Sequence, residues 1–176
     1  MNIIAKLDLL SKEVTRRYPW LNHGGCCVYA AMIVDALHKH KIEANGIVAS
    51  WSAESLNKSG VTIDKIREGI KTNTHTEWNR NGVSFSHVGV EFEYKVKIRT
   101  TKRHYDSRGV RKVGKELDGM PIYAGRLTLQ ELKILAGTKK GWNDTFDRRD
   151  IPELRKLVKT FLAVEKKPKQ KEMQIG

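Results

Sequence analysis

From Cys26 to Lys39 the side chains are apolar almost all round a helix until the last turn. A helix without a polar face has nothing to offer water, so it belongs at the centre of a domain with other elements packed on every side. The chain must therefore supply that cover from its remaining residues. The apolar run from Cys26 to Val34 falls well short of the ~20 residues a membrane helix needs, so the segment reads as a core and not as a span. Met1 to Leu10 carries Lys6 and Asp8 within its apolar stretch and has no small-residue cleavage signature, which argues against a secretory signal and places the chain in the cytoplasm. At 176 residues, one domain over residues 1–165 with a basic mobile tail over 166–176 is the expected organisation.

The cover is readable from periodicity. Ile3, Ile4, Leu7, Leu10 and Val14 recur at helical spacing over residues 2–17, and Pro19 ends that helix. Gly46 to Trp51 reads as a buried strand, and Ile63 to Ile70 as a helix before a turn at Asn79 to Gly82. From Val83 to Ile98 the pattern alternates, with Val88, Val90 and Phe92 on one face and His87, Gly89 and Glu91 on the other. That segment predicts a strand, paired in a hairpin with Tyr94 to Ile98, and His104-Tyr105-Asp106 predicts a third. Thr128 to Glu131 forms a capping box for a helix stopping at Gly137. Asp150 and Pro152 start a last helix with Leu154, Leu157, Val158 and Leu162 on one side. The expected class is α+β, with a central buried helix packed on an antiparallel sheet.

Chemistry enters at the start of the buried helix. Gly24-Gly25-Cys26 places a thiol at a helix N-terminus, where unpaired N–H groups and the positive dipole end stabilise a thiolate. Ordinary free cysteines are small buried hydrophobes, so a partner base is required before the position means more. Of the six histidines, His87 alone opens a regular alternating strand after a long loop, with Gly89 leaving a vacancy beside its ring. Asp106, on the next strand before a turn, is the candidate to orient the imidazole. Cys27 is an alternative nucleophile. The two cysteines are adjacent, so a disulfide between them is strained. Neighbours on a helix also diverge by about 100°, which makes His23, Cys26 and Cys27 a poor tetrahedral metal set. Neither a metal nor a cofactor is expected.

The order of cysteine on a helix, histidine on a strand and aspartate on a following strand resembles the papain-like cysteine peptidase superfamily, and most closely its transglutaminase-like branch. Gly24-Gly25-Cys26 followed by Ala30, Leu37, Ile42, Ala44 and Ile47 is similar to that branch's helix and strand. Ser86-His87-Val88-Gly89-Val90 and Tyr105-Asp106-Ser107-Arg108-Gly109 are similar to its histidine and aspartate segments. The likeness covers roughly residues 20–110. Two features depart from it: Gly89 stands where an aromatic residue is common, and the glutamine that papain-type enzymes place before the cysteine is missing. Oxyanion stabilisation then falls to the Cys26 N–H with Asn22 or Trp20 as side-chain donor.

The resemblance implies a thiol-dependent hydrolase, cysteine protease-like, cleaving an amide, isopeptide or thioester bond in a peptide or protein substrate. Its alternative is a transglutaminase or acyltransferase using Cys26, His87 and Asp106 in the same roles. In either case the Cys26 sulfur should lie within about 4 Å of a His87 ring nitrogen, with the other nitrogen within reach of Asp106. A third reading comes from charge. Lys and Arg number 33 against 20 Asp and Glu, a net +13, and the densest basic stretch runs from Lys95 to Lys112. With Tyr94 and Tyr105 interleaved, that stretch is suited to single-stranded nucleic acid or an acidic protein. A solvated basic sheet edge, with Lys95, Lys97 and Arg99 on one strand face, is the simpler account.

Overall fold

A computed structural model of the chain describes residues 2–22, 24–50, 63–73, 87–96, 98–114, 117, 120, 122–137 and 146–164. The buried helix is α2 (Cys26–Lys39), and Cys26, Cys27, Val28, Tyr29, Ala30, Ala31, Ile33, Val34 and Leu37 are all withdrawn from water. Helix α1 (Ile3–Arg17) buries Leu7, Leu10 and Val14 in the same core. The Asn2 side chain caps α1 by accepting from Ile4 N at 2.9 Å, and the turn through Pro19 follows it. Three more helices complete the layer: α3 (Ile63–Thr72), α4 (Leu129–Gly137) and α5 (Ile151–Phe161). No helix among the described residues is long and apolar enough to cross a membrane.

Opposite the helices lies an antiparallel sheet of β1 (Ala44–Ser50), β2 (His87–Val96), β3 (Arg99–Asp106), β4 (Gly109–Lys112) and β5 (Ile122–Leu127), in the order β4-β3-β2-β1-β5. Val48, Val88, Val90, Phe92, Tyr105 and Leu127 meet the helices in one continuous core. Alternation sends the intervening residues to the other face, where Ile47 and Ala49 join Leu117 and Met120 in a smaller cluster. Gly46 lets α4 approach β1, because a Cβ there would lie 2.7 Å from Leu132 Cδ2. Deep in the core, Tyr105 donates to Leu7 O at 3.3 Å and bonds Tyr29 Oη at 2.5 Å. That small polar chain ties α1, α2 and β3 together without leaving a phenol unsatisfied.

The expected elements recur with two corrections. Tyr94 to Val96 is not a second strand but the end of β2, and β2 pairs instead with β3, Val96 facing Arg99. Alternation keeps apolar residues on one side through Tyr94, so no turn intervenes before the end of β2. Consequently Lys95 and Arg99 lie on different strands and not on one strand face. Lys97, the turn at 79–82, residues 83–86 and the tail 166–176 lie outside the described residues.

The capping box is present as read: Glu131 N donates to Thr128 Oγ1 at 3.2 Å and Thr128 N donates to Glu131 Oε2 at 2.7 Å. Glu131 also accepts from Arg67 Nε at 2.9 Å, which fastens α3 to α4. Replacing Thr128 by Ala is expected to cost about 1 kcal/mol. Thermal denaturation should show a fall in Tm of about 2–4 °C, and Thr128→Ser should recover most of it.

Candidate active site

Cys26 is the first residue of α2, and no side chain caps the helix before it. The approach to it is tightly turned. Gly24 has φ of +106°, a value that favours glycine, and Gly25 N donates to Leu21 O at 2.9 Å. A Cβ on Gly25 would lie 2.6 Å from Leu21 Cδ1 and 2.8 Å from Phe146 Cγ, so glycine is needed for close packing. The helix N-terminus is thus held against the turn that precedes it, with its first N–H groups turned toward the thiol's surroundings.

The sheet supplies the other two groups. His87 is the first residue of β2 and Asp106 the last of β3, and both are buried. His87 Nε2 lies 3.4 Å from Asp106 Oδ2. The Cys26 thiol lies beside the imidazole and the Val88 N–H, close enough for both to lower its pKa. Sequence places the three residues on separate elements, and the fold brings them together. The His87 to Asp106 separation is long, and neither ring nitrogen has a partner of strict hydrogen-bond geometry. Catalytic hydrogen bonds are commonly this loose before substrate arrives.

Electrostatics follow from that packing. Burial works against a charged His87, but the bond to Asp106 and the neighbouring thiolate outweigh it and lift the imidazole to about 9. Cys26 is held well below an ordinary thiol, first by the hydrogen bond from Cys27 and then, against the cost of burial, by His87. Cys27 moves the other way, pushed up by its bond to Cys26 and by burial. Burial would raise Asp106, yet the bond to His87 and its charge keep the carboxyl low. These shifts run in the direction that favours a thiolate at Cys26, an imidazolium at His87 and a carboxylate at Asp106. Contact with His87 falls on Cys26, while Cys27 touches Cys26 instead.

Asp106 is itself held. Its Oδ1 accepts from Arg108 N at 2.8 Å and stands 3.9 Å from Arg111 Nη2, which leaves Oδ2 for His87. The turn after it is fastened from three directions. Thr15 Oγ1 donates to Ser107 O at 2.8 Å, Ser107 Oγ donates to Asn22 Oδ1 at 2.9 Å, and Val110 N donates to Asp8 Oδ1 at 3.2 Å. Asn22 therefore links the turn before the thiol to the residue after the aspartate. Trp20, the other expected oxyanion donor, is 62% exposed in the same turn and lies outside the buried cluster. The expected vacancy at Gly89 is also filled, since a Cβ there would lie 2.7 Å from Leu117 Cδ1. Leu117, Ser107 and Arg111 were not legible as site residues. Asp8, Ser11 and Thr15 did carry a signal, a polar stripe at helical spacing beside the apolar face of α1.

Other histidines serve the fold: His38 Nε2 bonds Ala44 O and His40 Nε2 bonds Leu162 O. Among the described residues no group of three or more His, Cys, Asp or Glu is arranged to hold a metal ion, and His23 and His75 lie outside them. Comparison of the chain with models of known protein families, with curated proteins and with solved structures returns no match.

The geometry gives Asp106 a measurable role. In the wild-type protein the His87 ring should titrate near 9 by NMR. In Asp106→Asn the carboxylate charge is gone, and the midpoint should fall by at least about one unit toward the ordinary value of ~6.5. An unchanged midpoint would show that Asp106 does not act on His87.

Proposed function

We propose that the chain is a thiol-dependent acyl hydrolase whose nucleophile is Cys26, base His87 and orienting group Asp106. The observation that carries this reading is the contact of the Cys26 thiol with a buried His87 whose other side faces a buried Asp106. Such a thiolate and imidazolium pair suits attack on an amide, isopeptide or thioester carbonyl of a peptide or protein substrate. The sulfur adds to the carbonyl carbon, and the oxygen takes up the electron pair as an oxyanion near the Cys26 N–H. The intermediate then collapses with loss of the amine or thiol, which leaves with the proton from His87. Water, deprotonated by His87, attacks the acyl-enzyme and returns Cys26 as thiolate and His87 as imidazolium. The low-lying Asp106 carboxylate compensates the imidazolium throughout.

Burial of all three groups supports a second reading, in which an amine replaces water and the chain is an acyltransferase of the transglutaminase type. Excluding bulk water suppresses hydrolysis of the acyl-enzyme and favours a bound acceptor. Both readings resemble the papain-like superfamily in the order of their residues. Both need reduced thiols, and Cys26 and Cys27 are free, which supports a reducing compartment such as the cytoplasm.

The test is alkylation by iodoacetamide or a vinyl sulfone followed by intact mass. A single adduct should form, vanish in Cys26→Ala and persist in Cys27→Ala. Its rate should hold a plateau below pH 7, where an ordinary thiol of pKa ~8.5 is mostly protonated. His87→Ala should slow it at neutral pH by about a hundredfold. Equal slow labelling of both cysteines, with rates still climbing steeply at pH 8, would overturn the activated nucleophile.

A further inference from the structure

We propose that Ser107 is a positioning residue, whose hydroxyl turns the Asn22 amide so that Nδ2 donates to the oxyanion formed on a substrate carbonyl at Cys26. The proposal rests on the thiol-dependent reading above and adds to it a second oxyanion donor and the group that orients it. Two turns meet at this point. One is the approach to α2, where Gly25 N donates to Leu21 O at 2.9 Å and a Cβ on Gly25 would lie 2.8 Å from that oxygen. Asn22 lies inside this tight turn, four residues before Cys26, and so keeps a fixed relation to the first N–H groups of α2. The other is the turn after β3, in which Ser107 follows Asp106 directly.

Hydrogen bonding between the two turns has a definite polarity. Ser107 is buried, and its Oγ donates to Asn22 Oδ1 at 2.9 Å. Its carbonyl accepts from Thr15 Oγ1 at 2.8 Å, so α1 holds the serine backbone while the serine hydroxyl holds the amide. A side-chain amide carries its acceptor and its donor on one carbon, and a partner that fixes the oxygen also sets where the nitrogen lies. Among the described residues Asn22 Nδ2 makes no hydrogen bond, which leaves its protons to donate. The amide thus gives its acceptor to the protein and keeps its donor, the polarity that a developing anion requires. The opposite orientation, with Nδ2 given to Ser107, would present an acceptor and repel that anion.

The neighbouring neutral groups do not offer an alternative. A hydroxyl has a single proton, and Thr15 gives its own to Ser107 O while Ser11 gives its own to Asp8 O. Trp20 is exposed and outside the buried cluster. The remaining donor is the Cys26 N–H, at a helix start that no side chain caps. One turn then serves both charges of the reaction, Asp106 facing the imidazolium through Oδ2 and Ser107 facing the oxyanion through Asn22.

Two reagents separate the oxyanion from the thiolate. Iodoacetamide is attacked at its methylene carbon, where the S–C bond forms as iodide leaves and no charge develops on a carbonyl oxygen. p-Nitrophenyl acetate is attacked at its carbonyl carbon: the S–C bond forms, the carbonyl electron pair moves on to oxygen, and it returns as p-nitrophenolate leaves. In Asn22→Ala the first-turnover release of p-nitrophenolate should slow about a hundredfold, the cost of one oxyanion donor, while alkylation keeps the wild-type rate and pH plateau. Ser107→Ala should slow acylation about tenfold with alkylation unchanged, and Ser107→Thr, which keeps the hydroxyl, should restore it. The double Ala variant should acylate no more slowly than Asn22→Ala, because Ser107 acts only through the amide. Thr128→Ala, which loosens only the α4 cap, should leave both rates as in the wild type. The proposal is overturned by equal losses of acylation and alkylation, which would make Ser107 merely structural, by losses that multiply in the double variant, or by undiminished acylation in Asn22→Ala. A wild-type protein whose Cys26 reacts with both reagents no faster than an ordinary thiol overturns the thiol reading and this proposal with it. Fast reaction with both, unaltered in the variants, overturns this proposal alone.

Discussion

Burial of α2 on nearly every side is the constraint on which the remainder of the structure rests. A helix apolar nearly all round until its last turn is stable in water only when other elements enclose it, and each of the other parts takes its position from that need. The sheet lies under α2 with Val88, Val90 and Phe92, α1 bridges to it through Leu7, Leu10 and Val14, and α4 and α5 close the remaining sides with Leu132, Leu135, Leu154 and Val158. Toward its C-terminal half Met32, Asp35, Ala36 and Lys39 reach the surface, whereas its N-terminal end is buried. The N-terminal end holds Cys26 at the meeting point of α2 with the starts and ends of strands, where a sheet can bring polar side chains to it.

The cluster there is tolerable because its charges compensate one another. Cys26, His87 and Asp106 are each almost wholly withdrawn from water, and an isolated charge in that position would be costly. Each group shifts the next toward its charged form, the imidazole lowering both Cys26 and Asp106 and being raised by them. Two hydrogen-bond donors, Val88 N–H and Cys27 S–H, hold the thiolate, while Arg108 N–H holds the carboxylate. The scaffold for the aspartate comes from α1 and from Asn22, which clasp the Ser107 turn. Helix α1 therefore has two functions, completing the core with its apolar side and fastening the Asp106 hairpin with Asp8 and Thr15.

Much of this was legible along the chain. Helical spacing marked α1, α2 and α5, the capping box marked α4, and alternation marked β2 and the face on which His87 lies. Cys26 and Asp106 stood out because a thiol at a helix start and a carboxylate before a turn each sit where local backbone geometry exposes them to a partner. The hairpin partner of β2 differs from the expectation because alternation runs on through Tyr94 to Val96, and no glycine, proline or asparagine marks where the strand ends. The space beside Gly89 was misread because a missing side chain shows only that something approaches closely, not which group. Leu117 comes from a distant bridged turn with Met120, and no local pattern points to it.

By itself the sequence determined the elements, because helix and strand periods and caps are local properties of neighbouring side chains. It also determined that α2 must be central, since its apolar circumference leaves no other place for it. Only the tertiary structure decided that Cys26, and not Cys27, touches His87, because one step along a helix turns a side chain by about 100° and pairing across elements depends on how α2 is rotated against the sheet. The same holds for the basic stretch. Its composition was plain, but that Lys95 and Arg99 lie on different strands depended on the β2–β3 register, which backbone hydrogen bonds between distant residues set.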